Sequence, residues 1–187
     1  MKSVLIFLAI AAIIVCTAGC TSPSSPPASS LPGAQNALPM NGSTVLGTGS
    51  HTTLVSLNSF EVTPPGPDGN QTITIYVAAK NTGNDSVRYI WFSKITDING
   101  KTYGGIGVSH GGHGARTAAI QPNNTEAARD YVMTDSAQDL ATINKGALLD
   151  VYFMEQKDNV TQAQVPDYHV TWKLDPDSIP GELPGSF

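Results

Sequence analysis

The sequence predicts an all-β protein, a two-layer sandwich of about seven strands behind an N-terminal export signal and a disordered linker. Charged residues make up only 13% of the 187 residues, whereas the chain holds 18 glycines and 13 prolines, a composition that favours a loop-rich β protein over a helical bundle. Several segments alternate apolar and polar residues, as strands with one buried face do. Both cysteines, Cys16 and Cys20, lie near the N-terminus, so the folded region must be stabilised by burial without an internal disulfide.

Residues 1–19 have the layout of a signal peptide. A single positive charge at Lys2 precedes an uninterrupted apolar run over 4–15, and small residues follow before a cysteine. We therefore expect export and a location at the extracytoplasmic face of the cell membrane. The alternative to a cleaved leader is an uncleaved signal anchor, for which residues 4–19 are short of the about 20 apolar residues that span a bilayer comfortably.

The residues before the second cysteine resemble the lipobox of a prokaryotic lipoprotein leader. Ala18, Gly19 and Cys20 match that pattern, whereas Thr17 departs from it because the lipobox prefers an aliphatic residue there. The resemblance implies that Cys20 is acylated and becomes the mature N-terminus. Two acyl chains would hold the protein firmly at the membrane, since each buried methylene contributes about 0.8 kcal/mol.

Residues 20–51 are predicted to form a tether between the leader and the folded domain. No Asp, Glu, Lys or Arg occurs from 3 to 60, and Ser, Pro, Gly, Thr and Ala dominate the tether. Such a composition cannot bury enough apolar surface to offset the entropy of ordering the chain.

Five Asn-x-Ser/Thr sequons without an intervening Pro are candidate glycosylation sites on exposed loops of an exported protein. The alternative interpretation is that Asn, Ser and Thr are simply common in turns. The five asparagines are Asn41, Asn70, Asn84, Asn123 and Asn159.

The first strong strand signal covers 72–80, where apolar residues alternate with polar ones at period two. A second strand is predicted over 87–96, and the turn-forming cluster between them, in which Gly83 can adopt a positive φ, predicts a hairpin. The Asn99-Gly100 pair that follows is a strong signal for a second hairpin.

Later segments complete the predicted sandwich over 52–175. Alternation predicts strands at 149–153 and 168–174, weaker strand signals lie at 53–62 and 126–133, and 135–143 is expected to form a short helical turn. This spacing of strands and turns is typical of an immunoglobulin-like sandwich. Residues 176–187 are predicted to be a loose C-terminal tail.

The turn chemistry from 54 to 103 resembles that of a known group of extracellular domains. A strand that ends in Lys80-Asn81-Thr82-Gly83 is followed by a hairpin closed by Asn99-Gly100-Lys101-Thr102-Tyr103. This pattern is similar to the uncharacterised domains of the immunoprotective-extracellular, immunoglobulin-like superfamily. The resemblance implies a lipoprotein or secreted sandwich of unknown function, and it supplies no catalytic residues.

The glycine-rich segment 104–116 carries the strongest candidate metal ligands. His110 and His113 lie three residues apart and could bind zinc or copper, with His51 or His169 completing a site. Against a metal site, flexible glycines lose much backbone entropy when a bound ligand orders them. The competing interpretation is a glycine-rich loop packed over the end of the sandwich. No cofactor is expected outside this loop.

Two other chemical interpretations are weaker. Ser109 beside His110 suggests a hydrolase, but neighbours in sequence rarely present their side chains to each other, and no orienting acid is identifiable. Asp97 and Asn99 resemble the start of a calcium loop that lacks its closing Glu. A hairpin turn explains the pair better.

The charge of the chain argues against nucleic acid as a partner. The formal net charge is −5, and the few Lys and Arg residues are scattered singly. By analogy with the immunoglobulin-like fold, we expect a non-enzymatic, surface-tethered module that binds a cell-surface protein or glycan or has a structural role. A metal-binding protein is the alternative, and a hydrolase is the third hypothesis.

Overall fold

Strands make up most of the chain that the computed structural model describes, which covers residues 34–105, 114–156 and 166–180. A 3₁₀ helix, Ala34–Asn36, precedes the strands, and one α-helix, α1, spans Ala137–Ile143. In chain order the strands are β1 (Leu38–Pro39), β2 (Ser43–Leu46), β3 (Thr53–Val62), β4 (Gln71–Asn81), β5 (Tyr89–Asp97), β6 (Thr102–Gly104), β7 (Ala115–Arg116), β8 (Thr125–Thr134), β9 (Ala147–Glu155) and β10 (Tyr168–Leu174).

The strands form two sheets. The larger sheet has six strands, in the order β1-β10-β9-β5-β6 with β7 also paired to β5, and the smaller has four, in the order β2-β3-β4-β8. All pairs are antiparallel except β1 and β10, which run parallel. The predicted all-β sandwich is confirmed, and seven of the described strands have four or more residues.

The core lies between the sheets and is built by period-two alternation. On β4, Ile73, Ile75 and Val77 are fully buried, with intermediate residues between them. The larger sheet supplies Trp91 and Trp172, which are also fully buried. Since burying one large apolar side chain contributes roughly 1.5–3 kcal/mol, these inward rows hold the sheets together.

The predicted hairpin between 72–80 and 87–96 is wrong, because β4 and β5 belong to different sheets. The loop between them bonds to the β2–β3 loop: Gly83 N donates to Thr52 O at 3.0 Å, and Asn84 N donates to Ser50 O at 2.9 Å. A Cβ on Gly83 would lie 1.9 Å from Ser50 O. Close backbone approach, and not the positive φ expected from the sequence, therefore requires glycine at position 83.

The second predicted hairpin is confirmed, and β5 pairs with β6 across it. Gly100 adopts a φ of 82°, and Gly100 N donates to Asp97 O at 3.0 Å. Asp97 Oδ1 accepts the backbone N–H groups of Asn99 at 2.8 Å and Lys101 at 3.0 Å. This carboxylate closes the turn, which accounts for the resemblance to a calcium loop.

The weaker element predictions are confirmed as well. The segment 53–62 forms β3, 126–133 lies within β8, and α1 falls inside the predicted helical turn. Ser136 caps α1 by accepting the N–H of Asp139 at 3.3 Å.

The sandwich begins and ends beyond its predicted bounds of 52 and 175. β1 and β2 lie inside the segment assigned to the tether, where Leu46 is buried in the core and Gly42 O accepts the Trp172 Nε1–H at 2.9 Å. At the other end, Ile179 is 2% exposed and packs with the core. A few apolar residues within polar segments were enough to extend the sandwich.

Candidate functional site

The outer face of the larger sheet carries a connected group of polar side chains from β5, β9 and β10. Alternation turns Leu149 and Val151 toward the core, so that Asp150 points to the opposite side. The register places Lys94 and Thr171 on either side of Asp150. The outer-face cluster, as we call it, consists of Lys94, Asp150, Tyr152, His169 and Thr171.

Asp150 is the centre of the outer-face cluster, although it is only 8% exposed. Its Oδ1 accepts the Thr171 hydroxyl at 2.7 Å and lies 2.9 Å from His169 Nε2, and its Oδ2 pairs with Lys94 Nζ at 3.0 Å. Burial alone would raise the pKa of Asp150, but the hydrogen bonds from Thr171, Lys94 and His169 outweigh it and lower the pKa below its ordinary value. The carboxylate therefore stays ionised within the sheet face.

The rings of the outer-face cluster fix its geometry further. His169 stacks on Tyr152, with ring centroids 4.5 Å apart and an interplanar angle of 7°. Lys94 Nζ lies 5.7 Å from the centroid of the Tyr152 ring, within cation–π range. Each polar side chain in the cluster is thus held by at least one neighbour.

Two adjoining grooves open at the outer-face cluster. The central groove has a volume of about 450 Å³. The side groove, of about 440 Å³, runs along β2 and the first residues of β10 and shares Asn36, His169 and Thr171 with the central groove. The side groove also contains Val45, which is 56% exposed. The central groove is lined by Asn36, Lys94, Thr96, Leu148, Asp150, His169 and Thr171.

A second polar group joins the two sheets at the β2–β3 loop. His51 Nδ1 lies 2.6 Å from Glu155 Oε1 at the end of β9, and His51 Nε2 lies 3.3 Å from Asp85 Oδ2. Ser50 Oγ donates to the same Asp85 oxygen at 2.6 Å. The hydrogen bond to Glu155, together with the charge of both carboxylates, raises the pKa of His51 despite partial desolvation.

Neither described histidine has the arrangement of a Ser-His-Asp triad, in which the two ring nitrogens serve the nucleophile and the acid separately. At His169, the Thr171 hydroxyl at 3.3 Å and the Asp150 carboxylate at 2.9 Å face the same Nε2. At His51, both nitrogens face carboxylates, and the nearby Ser50 hydroxyl donates to Asp85.

Five of the sequence-predicted site residues lie outside the described part of the chain: Cys20, Ser109, His110, His113 and Asn159. Within residues 34–105, 114–156 and 166–180, no group of three His, Cys, Asp or Glu side chains could hold a metal ion. No helix in the described ranges has the length and apolar character needed to cross a bilayer.

The four described sequons lie in turns or loops, at the positions that glycosylation needs. Asn41, Asn84 and Asn123 are exposed, and Asn70, directly before β4, is partly exposed. Asn123 adopts a φ of 64°, a left-handed conformation that asparagine tolerates better than most residues do. Glycosylation at these positions stays a prediction.

The outer-face cluster was not predicted from the sequence. His169 was named only as a candidate partner for His110 and His113, and Lys94, Asp150 and Thr171 were not named as site residues. The available signal was a charged residue beside a large apolar residue in each of two strands: Lys94 precedes Ile95, and Asp150 lies between Leu149 and Val151. The pairing of these strands was not visible in the sequence.

No protein-family model and no curated protein matches this chain. Among solved structures, it is similar to a candidate lipoprotein from Bacillus subtilis at 14% identity and a TM-score of 0.38, covering 72% of this chain and 38% of that one. An uncharacterised β-sandwich protein from Clostridium difficile is 13% identical with a TM-score of 0.39, covering 73% of this chain and 91% of that one. A candidate ApaA protein from Bordetella pertussis is 13% identical with a TM-score of 0.40, and the match covers 69% of this chain and 97% of that one. At this level of similarity, none of them identifies a function for this chain.

Proposed function

We propose that this protein is an exported lipoprotein whose β-sandwich is a non-enzymatic binding module on the outer face of the cell membrane. The leader before Cys20 supports export and lipid attachment. The turn chemistry around Gly83 and Gly100 supports membership of the immunoprotective-extracellular, immunoglobulin-like superfamily. The binding site is the pair of grooves at the outer-face cluster.

The binding proposal rests on one observation. The nearly buried carboxylate of Asp150 holds three hydrogen-bond donors in place on the outer face of the sheet, where solubility alone would not require such a network. A buried ion pair adds little net stability, because removing the charges from water offsets most of their attraction. The same network keeps Lys94, His169 and Thr171 in fixed orientations. Fixed polar groups around a groove lower the entropy lost when a ligand binds.

The metal-binding alternative, with zinc or copper held by His110 and His113, stays a prediction, and so does a hydrolase centred on Ser109. Both depend on residues outside the described part of the chain.

The lipid anchor is tested with the two cysteines, each changed to Ser in a separate variant. We expect Cys20→Ser to abolish the diacyl mass and leader cleavage, measured by intact-protein mass spectrometry of the membrane fraction. Cys16→Ser is the matched control, because Cys16 lies within the leader and should leave processing unchanged. If the wild-type protein and Cys20→Ser are both attached to the membrane with the leader uncleaved, and their masses differ only by the exchange of sulfur for oxygen, a transmembrane anchor is favoured instead.

The binding module is tested without knowing its ligand. A ligand that binds the folded state at about 100 times its Kd stabilises it by about 2.7 kcal/mol, so its melting temperature rises. We expect surface material released from the producing cells to raise the melting temperature of the full-length protein in detergent. Asn36→Ala, in both grooves, should clearly reduce the rise, and Asn58→Ala, at an exposed position of β3, should retain it in full. No rise in the wild-type protein, or an equal rise in Asn36→Ala, contradicts the proposal.

A further inference from the structure

We infer that the ligand of the central and side grooves is an uncharged oligosaccharide. This inference rests on the proposed function, because it names the chemical class that the same grooves accept. It follows from their size, charge, lining and surroundings.

The two grooves together have the shape of a site for a short chain of similar units. Each volume, about 450 and 440 Å³, falls within the roughly 300–1,000 Å³ of small-molecule sites. Because the grooves meet at Asn36, His169 and Thr171, a linear ligand could occupy both and contact these three side chains where it passes between them.

The charges in the central groove favour a neutral ligand. Its lining carries one formal positive charge, at Lys94, and one formal negative charge, at Asp150, and these two groups pair at 3.0 Å. A ligand carboxylate or phosphate that approached Lys94 would be repelled by Asp150 beside it. A ligand ammonium group that approached Asp150 would likewise be repelled by Lys94. An uncharged ligand can hydrogen-bond to both without breaking the ion pair.

The polar groups of the central groove suit hydroxyls. Asn36, Thr96 and Thr171 can each donate and accept hydrogen bonds, as a sugar hydroxyl does. Leu148 adds an apolar surface beside them, which suits the C–H groups of a pyranose ring. A purely apolar ligand would leave several of these polar groups without partners, at a cost of about 1–3 kcal/mol for each buried one.

The backbone near the central groove makes a peptide ligand less suitable. Extended peptides commonly bind by adding a strand to an open sheet edge, where main-chain hydrogen bonds provide affinity. The floor of the central groove is β9, which is paired with β5 on one side and β10 on the other. The face of β9 therefore offers a ligand side chains and no open main-chain ladder.

The test uses full-length protein in detergent and three sets of probes. The first contains neutral cello-, malto-, manno- and chito-oligosaccharides, the second contains oligogalacturonates and sulfated oligosaccharides, and the third is a library of unstructured peptides. Binding is measured by isothermal titration for any probe that an array retains. We expect binding by at least one neutral oligosaccharide, stronger than by its monosaccharide.

Two groove variants and two matched controls locate the binding. Thr96→Val and Asn36→Ala should each raise the Kd about tenfold, the effect of one lost hydrogen bond of about 1.4 kcal/mol. Thr74→Val, on the outer face of the smaller sheet, and Asn58→Ala should leave the Kd within about twofold. Far-UV circular dichroism checks that all four variants are folded.

The outcomes separate this inference from the proposed function. If no neutral oligosaccharide binds, or if the groove variants bind it as the controls do, the inference is wrong. Retention of anionic sugars or peptides alone, weakened by Asn36→Ala, also overturns it but leaves the grooves as a binding site. Absence of the melting-temperature rise described above would count against the proposed function itself.

Discussion

The outer faces of the two sheets treat charged side chains differently. On the smaller sheet, Glu61 is exposed and accepts a hydrogen bond from Tyr76 Oη at 2.7 Å. On the larger sheet, Asp150 is 8% exposed and is surrounded by Lys94, His169 and Thr171. A carboxylate in water keeps its hydration, whereas a buried one must be compensated by close partners.

The comparison indicates which outer face of this β-sandwich is suited to a binding site. The smaller sheet shows the ordinary solution, in which outward residues only keep the protein soluble. The larger sheet shows a connected network that includes an ion pair and a stacked ring pair and that adjoins both grooves. The predictions below test whether the two faces differ energetically as their geometry implies.

The largest expected difference comes from removing one carboxylate on each face. Asp150→Ala leaves the partly buried Lys94 without its counter-charge and removes the acceptor of Thr171 and His169, so we expect a loss of about 3 kcal/mol in unfolding free energy. Glu61→Ala removes a solvated partner and should cost less than about 1 kcal/mol. Urea unfolding followed by fluorescence measures both, since Trp91 and Trp172 are fully buried.

Asp150→Asn separates the effect of the Asp150 charge on stability from the effect of the side-chain volume, because asparagine keeps an oxygen acceptor and the shape of the side chain. This variant should recover part of the stability that Asp150→Ala loses. Similar losses in Asp150→Ala and Glu61→Ala would mean that the outer-face cluster is no more tightly coupled than an exposed pair.

A smaller difference is expected for single hydroxyls on the two faces. Thr171→Val removes one hydrogen bond of 2.7 Å to the ionised Asp150, so we expect a loss of about 1.5 kcal/mol. Thr74→Val, at an outward position of the central strand β4, should change the unfolding free energy by less than about 0.5 kcal/mol. Equal effects in the same urea titration would contradict the assigned role of the Thr171 hydroxyl.

The fold was predictable wherever the local pattern and the burial pattern agreed. The strand over 72–80, the hairpin at Gly100 and the helical turn that became α1 were each predicted from a few adjacent residues. The crossing of the β4–β5 loop from one sheet to the other at Gly83 was not predictable, because a turn-forming cluster has the same composition in a hairpin and in a crossing between sheets. What decided it was contact with Ser50 and Thr52, which depends on the packing of a distant loop.

The candidate site was less predictable than the fold. Asp150 lies 56 residues from Lys94 in sequence and 21 from Thr171, and only the order of strands β5, β9 and β10 brings the three together. Strand order depends on pairings among many segments, which alternation within one strand does not encode. The predicted lipidation residue Cys20, by contrast, was proposed from the sequence alone, because the lipobox pattern is local in sequence.

The smallest expected effect concerns the seam between the two sheets, where His51 faces Glu155 of the larger sheet and Asp85 of the β4–β5 loop. Only the imidazolium carries protons on both ring nitrogens and can donate to both carboxylates. Because the folded-state pKa is raised above the unfolded value of about 6.5, the stabilisation is fully present below about pH 6.5 and is lost as the pH rises through the folded-state pKa. Solvent screening keeps it small, since the His51 side chain is 43% exposed.

The measurement is the urea midpoint from pH 5 to pH 9, compared between the wild-type protein and His51→Gln. Glutamine still reaches one carboxylate but cannot titrate, so we expect its midpoint to lack the decrease above pH 6.5 that the wild type shows. Adding salt should shrink the wild-type decrease, because an exposed ion pair is screened. If His51→Gln follows the wild-type profile at every pH, then a group other than His51 causes the decrease, and the role assigned to His51 at the seam is wrong.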